Sequence, residues 1–93
     1  MWYMYILKCS DSSFYIGHTN NIQERLTRHN SGRGAKWTAA RLPVNLLYKE
    51  SFISEQDSIK RELQIKKWSR NKKEALINGD FKKLKSLSKR HHP

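Results

Sequence analysis

Two short apolar runs on either side of a four-residue polar stretch constrain how this chain can begin to fold. Trp2 to Lys8 alternates Trp2, Met4 and Ile6 with Tyr3, Tyr5 and Leu7. This aromatic and branched pattern predicts a strand covered on both faces. Ser10-Asp11-Ser12-Ser13 reads as a turn. Phe14 to Thr19 then sets Phe14 and Ile16 on one face and Tyr15 and Gly17 on the other, so the two runs predict an antiparallel hairpin. Gly17 gives up packing inside a strand, which marks a place where another backbone or a ligand comes close.

Downstream, Asn21-Ile22-Gln23-Glu24 has the form of a capping box and predicts a first helix running to a stop at Gly32. On it Ile22 and Leu26 lie at i, i+4, and Arg25 and His29 form a parallel stripe whose polar heads are expected to project together. Gly32-Arg33-Gly34-Ala35-Lys36 is a flexible basic loop, and Trp37 to Arg41 a helical turn ended by Pro43. Val44 to Phe52 predicts a third strand with one exposed edge. Ser54 caps a long helix with acids in its first turn and an apolar stripe of Ile59, Leu63 and Trp68. Asn71 to Ile77 predicts a short helix ended by Gly79. Phe81, Leu84 and Leu87 predict a last amphipathic helix fraying into Arg90-His91-His92-Pro93.

The expected architecture is therefore a small α/β (α+β) domain, a three-stranded antiparallel sheet flanked by helices. Residues 1–79 form its body, and 80–93 a basic helix or tail that belongs to the same domain or is partly disordered. With 93 residues there is no room for a second core, and a domain of this size buries only about 60–65% of its unfolded surface. Its 3 Trp, 4 Tyr and 3 Phe are accordingly needed mostly for packing. No apolar run approaches the roughly 18 residues of a membrane span, and the N-terminus lacks the basic region of a signal peptide. A cytoplasmic protein is expected. Cys9 is the one cysteine, so there is neither an internal disulfide nor a zinc spacing.

The distribution of charge adds a partner class. The chain carries 19 Lys+Arg against 8 Asp+Glu, a formal net charge of +11. Residues 1–59 hold a net +2 and residues 60–93 a net +9. A field clustered in this way attracts polyanions, whereas a dispersed one chiefly keeps a protein soluble. Nucleic acid is the expected partner, with a solvated Lys-rich helical surface as the bland alternative.

Three groups of residues stand out for chemistry: Tyr5 and Tyr15 on strands, Arg25 with His29 on one helix face, and Glu62 between Ile59 and Leu63. Taken singly, each has an ordinary reading as packing, a solvated face or a surface ion pair. In combination, Tyr3-Met4-Tyr5, Tyr15-Ile16-Gly17, Arg25 and His29 resemble the GIY-YIG nuclease superfamily over residues 3 to 78. The stretches His29 to Lys36 and Glu62 to Trp68 look like its small stand-alone bacterial branch.

The resemblance implies that Tyr5 and Tyr15 flank the attacked phosphate and help position or deprotonate the nucleophile. Gly17 is the motif glycine, Arg25 stabilises phosphate charge, His29 serves in proton transfer, and Glu62 holds a divalent metal, Mg²⁺ or Mn²⁺. Tyr3 stands where the first motif has glycine. Larger members place an Asn after the Glu helix, for which Asn71 and Asn78 are both candidates.

Those residue types suit phosphodiester hydrolysis, which needs a positioned water, a base and cations against developing phosphoryl charge. A single carboxylate suits Mg²⁺ bound jointly with phosphate. Arg25 offers a planar donor fork, His29 titrates in a useful range, and a tyrosine base needs a cation beside it, either Arg25 or the metal. Lys60, Arg61, Lys66, Lys67, Arg70, Lys72 and Lys73 are expected to surround Glu62 and, with Gly17, Arg33 and Lys36, to track a phosphate backbone without reading bases.

The leading expectation is a metal-dependent endonuclease on DNA, with RNA possible, selective for structures such as nicks, flaps or branches. It implies no partner protein and a monomer or weak dimer. The rivals are a catalytically silent module that binds DNA or structured RNA, and a basic protein associated with the ribosome or nucleoid.

Overall fold

A computed structural model describes residues 1–89. Its elements run β1 (Trp2–Lys8), β2 (Phe14–Thr19), α1 (Ile22–Asn30), α2 (Lys36–Ala39), β3 (Asn45–Phe52), α3 (Glu55–Lys66), α4 (Arg70–Ile77) and α5 (Phe81–Lys89). The three strands form one antiparallel sheet in the order β2-β1-β3. β1 is thus the covered centre, as its unbroken apolar run requires, and β2 and β3 are the edges.

The pleat sends alternate residues of β1 into two cores. Met4 and Ile6 join Ile16, Ile65 and Leu76 beneath α3 and α4. Tyr5 and Leu7 join Cys9 and Val44, with Ile22 and Leu26 of α1 packed against them. β3 serves both cores because its register against β1 shifts at Leu7, which faces Leu46, while Ile6 faces Tyr48. Leu47 is the extra residue of this bulge and lies exposed. Leu46 therefore reaches the α1 side, and Tyr48 and Phe52 reach the α3 side.

The helix ends follow the capping signals. Asn21 Oδ1 accepts from Glu24 N–H, Ser54 Oγ from Asp57 N–H, Ser69 Oγ from Lys72 N–H, and Asp80 Oδ1 from Lys83 N–H. Gly32 and Gly79 end α1 and α4 at φ of 80° and 68°, the left-handed region that a side chain disfavours.

The expected stripe Ile59–Leu63–Trp68 departs at Leu63, while Ile59 is half-buried and Trp68 packs against the core. Ser58 and Ile65 are buried, with Arg61 and Glu62 half-buried between them, and Leu63 is 53% exposed. The reason is polar: Arg61 donates from Nε and Nη2 to the Glu50 carboxylate of β3 at 2.8 and 3.1 Å. Glu62 meets His18 of β2. These partners fix the helix rotation and turn Leu63 outward. Of the expected last apolar face, Phe81 is 65% exposed and Leu84 packs against the core. The expected fraying over Arg90-His91-His92-Pro93 lies outside the described residues.

Candidate active site

Gly17 creates the space in which Tyr5 sits. It pairs with Tyr5 across β1 and β2, and a Cβ there would stand 2.7 Å from the Tyr5 Cζ. The close approach expected at Gly17 is therefore made by the Tyr5 side chain, whose phenol is laid across edge strand β2. Tyr15, two residues earlier on the same face, brings its ring centroid to 6.5 Å from that of Tyr5.

From α1, His29 completes a triangle. Its ring lies edge-on to both tyrosines, at 6.1 Å from Tyr5 and 5.2 Å from Tyr15, and the residue is only 2% exposed. Gly34 clears the other side of the imidazole, since a Cβ at that position would fall onto the ring. Arg25, one turn earlier on α1, lines the same narrow pocket with Tyr5, Leu7 and His29. The Arg25–His29 stripe thus faces inward, onto Tyr5.

Hydrogen bonds settle which way the protons point. Thr38 is fully buried on α2, and its hydroxyl donates to Ala35 O at 2.9 Å. Thr38 Oγ1 must therefore accept from His29 Nδ1–H, 2.8 Å away. That leaves Nε2 as a bare acceptor, and the Tyr5 hydroxyl donates to it at 3.0 Å. Burial, followed by the positive charges of Arg25 and Arg28, holds the His29 pKa below its ordinary value. The ring is a neutral acceptor.

Burial, and then Tyr15, push the Tyr5 phenol up to about 12, while Arg25 pulls it down and Glu62 adds a smaller upward push. Of the two cations expected to make a tyrosine basic near neutral pH, Arg25 or the metal, Arg25 does not do so at Tyr5, because burial outweighs the guanidinium.

Glu62 approaches from the other face of the sheet, where its carboxylate is held at both oxygens. His18 Nδ1–H donates to Oε1 at 2.6 Å, and Lys66 Nζ meets Oε2 at 2.6 Å. Glu55 Oε2 lies 3.7 Å from His18 Nε2. Among the described residues no group of three or more His, Cys, Asp or Glu converges into a metal cage. The donor chemistry suits a hard divalent ion that keeps its waters and shares itself with a phosphate. Lys66 is 46% exposed.

His18 and Thr38 are the polar contacts that sequence reasoning missed. His18 alternates with Gly17 and so had to face the α3 side. Thr38 had no comparable signal.

Of the expected basic residues, Lys66 and Lys73 line a cleft of about 250 Å³ with Phe14, Tyr15, Ile16 and Trp37. Lys36, Lys60 and Lys67 are exposed. Arg33 lines a separate groove with Glu24, Thr27 and Arg28. Arg70 Nη1 donates to Ser12 O at 2.8 Å, and its guanidinium lies 4.1 Å from the Phe14 ring centroid. Lys72 is 9% exposed, with Nζ over the Trp68 ring, and Arg61 is held by Glu50. The band around Glu62 is thus thinner than the sequence implied. Asn71 is exposed in the first turn of α4 and Asn78 caps its C-terminus; among the described residues neither hydrogen-bonds Glu62, His18, Tyr5 or Tyr15.

The family model described as the GIY-YIG catalytic domain matches residues 1–75. The chain belongs to the GIY-YIG family. Within that family it is 49% identical over 75 residues to a UPF0213 protein of Bacillus pumilus, covering 81% of this chain and 76% of the relative. It is 46% identical over 77 residues to one of Halobacterium salinarum, covering 83% and 100%. The solution NMR structure of the UPF0213 protein from Bacillus halodurans matches at TM-score 0.54 and 40% identity, over 84% of each chain. That of a protein from E. faecalis matches at 0.55 and 40%, over 98% of this chain and 90% of its own. The GIY-YIG fold places Tyr5, Tyr15, Arg25 and His29 on one side of edge strand β2 and Glu62 on the other. Among the described residues no helix is long and apolar enough to cross a membrane.

Proposed function

We propose that this GIY-YIG domain hydrolyses phosphodiester bonds in DNA with a divalent metal, selecting nucleic-acid structure rather than sequence. The Tyr5–His29–Thr38 chain carries the reading. A strand tyrosine used only for packing has no need of a buried, tautomer-fixed histidine as its acceptor. Here the Thr38 hydroxyl fixes Nδ1–H and leaves Nε2 to receive a proton from Tyr5.

In this mechanism Tyr5 stays protonated until attack. Its oxygen takes a proton from the incoming water as its own passes to His29 Nε2, so no free phenolate forms. Arg25 binds a non-bridging phosphate oxygen. The anion then offsets the guanidinium charge that, after burial, helps hold His29 in its neutral form, and the imidazole becomes a better base when substrate is present. Tyr15 packs against His29 and directs its hydroxyl to the same phosphate. Glu62, kept in place by His18, would hold Mg²⁺ or Mn²⁺. Held there, such an ion would supply charge neutralisation at the phosphate and the leaving oxygen. Lys66, Lys73, Lys36, Lys60, Lys67, Arg33 and Arg70 supply charge along the backbone path, and Gly17 lets Tyr5 reach it.

This reading is tested by following cleavage of labelled DNA by wild type and Tyr5→Phe at equal binding. Loss of cutting in the variant supports it, and unchanged cutting contradicts it.

One observation favours a second reading. Both Glu62 oxygens are already engaged, Oε1 by the His18 ring N–H and Oε2 by the Lys66 ammonium, as suits a module that binds nucleic acid without cutting. There, replacing Lys66, Lys67 and Lys73 together would weaken binding and flatten its salt dependence.

A further inference from the structure

Trp37 is 46% exposed in a chain short of apolar area, yet it is firmly mounted. The Arg41 guanidinium lies over its ring, 3.4 Å from the centroid. Arg41 is itself tied down, with Nε donating to Asp11 Oδ2 at 3.0 Å and Nη1 to the Trp37 carbonyl at 3.0 Å. The neighbouring residue on α2 is Thr38, which fixes His29, so the indole is set on the same short helix that orients the proposed base. Trp37 also lines the cleft of about 250 Å³ that contains Tyr15, Lys66 and Lys73. Arg41 is not among the cleft-lining residues, so it backs the indole without filling the space.

We infer that this cleft is a stacking site for one unpaired nucleobase, with Trp37 as its platform and Lys66 and Lys73 gripping the adjoining phosphates. This rests on the proposed nuclease reading and narrows its substrate to strands with an unstacked nucleotide beside the scissile phosphate. An aromatic face accepts any base, which explains selectivity without sequence readout, and two lysines at its rim match the charge of the backbone. Within a duplex the base is stacked on its neighbours and must be pulled out before it can reach the indole, at a cost that an already unpaired base avoids.

The test is fluorescence anisotropy of a labelled 12-nucleotide single strand, and of its blunt duplex, in EDTA with wild type, Trp37→Ala and Trp37→Phe. The inference expects wild type to favour the single strand, and Trp37→Ala to lose about tenfold or more on the single strand with little change on the duplex. Trp37→Phe, which keeps a stacking face, recovers most of that loss. Equal affinity for the two forms, or Trp37→Ala binding the single strand as wild type does, overturns the inference. Metal-dependent cutting in a parallel reaction separates the two proposals: cutting that ignores Trp37→Ala removes the platform and leaves the nuclease. Failure to bind either nucleic acid overturns both.

Discussion

Tyr5 and His29, 24 residues apart in the chain, share a 3.0 Å hydrogen bond that exists because position 17 carries no side chain. The β1–β2 register brings Gly17 opposite Tyr5, and the capped start of α1 fixes where His29 arrives one turn after Arg25. Its partners titrate in opposed directions: burial, then Tyr15, push the phenol up to about 12, and burial, then Arg25 and Arg28, hold the imidazole below its ordinary value. At neutral pH the proton rests on Tyr5.

Removing the phenol hydroxyl separates chemistry from folding. Tyr5→Phe keeps the ring over Gly17 and leaves His29 Nε2 without its donor, which costs about 1–3 kcal/mol for a buried group. Cutting is expected to fall about 10²–10⁴-fold, the usual range for a positioned proton-transfer group. Thermal unfolding beside single-turnover cleavage checks both.

Gly17→Ala is expected to be worse than its size suggests. The new methyl would stand 2.7 Å from Tyr5 Cζ and closer still to its hydroxyl, so the phenol must leave His29 or the strands must shift. Overpacking of this kind costs about 1–3 kcal/mol, a fall in Tm of several degrees for a domain of this length. Differential scanning calorimetry reads it, together with loss of cleavage.

His29 makes stability depend on acid. Its pKa is lowered in the fold by burial and by Arg25 and Arg28, so below about pH 6.5, the ordinary value, the unfolded chain binds a proton that the folded chain refuses. The stabilising contribution is complete above that pH and is lost as pH falls below it, towards the lowered folded pKa. Urea midpoints at pH 7.5 and pH 5 should diverge for wild type and converge for His29→Gln.

Arg61 belongs to the frame. Its two bonds to Glu50, with the Tyr48 hydroxyl donating to Glu50 Oε2 at 2.6 Å, tie α3 to β3. Arg61→Ala is expected to destabilise by roughly 1.5–3 kcal/mol, the range for charge-assisted hydrogen bonds. Nucleic-acid affinity should hold, as chemical denaturation and binding titrations would show.

The hairpin, the caps at Asn21 and Ser54, the glycine stops and the edge position of β3 were legible because each rests on local backbone chemistry. The Tyr5, Tyr15 and His29 constellation was legible as a motif. Its inward direction was not, because whether Arg25 and His29 face water or core depends on where α1 lands on the sheet. Leu63 was misread for a related reason. Ile59 and Leu63 carry the apolar spacing, but Glu50 and His18 claim Arg61 and Glu62 and leave Leu63 facing outward. The basic residues could be counted in the sequence, yet only the fold shows that Lys72 lies over Trp68 and that Arg61 and Arg70 are partly committed to other elements.

The most direct test of the account is cleavage of labelled linear, nicked, flapped and single-stranded DNA with Mg²⁺ or Mn²⁺ or with EDTA, using wild type beside Glu62→Ala. The account predicts cutting that requires the metal and disappears in the variant while binding persists or tightens, since a negative charge near phosphate has gone. Cutting that survives Glu62→Ala, or tight binding without cutting by either protein in the presence of metal, would contradict it.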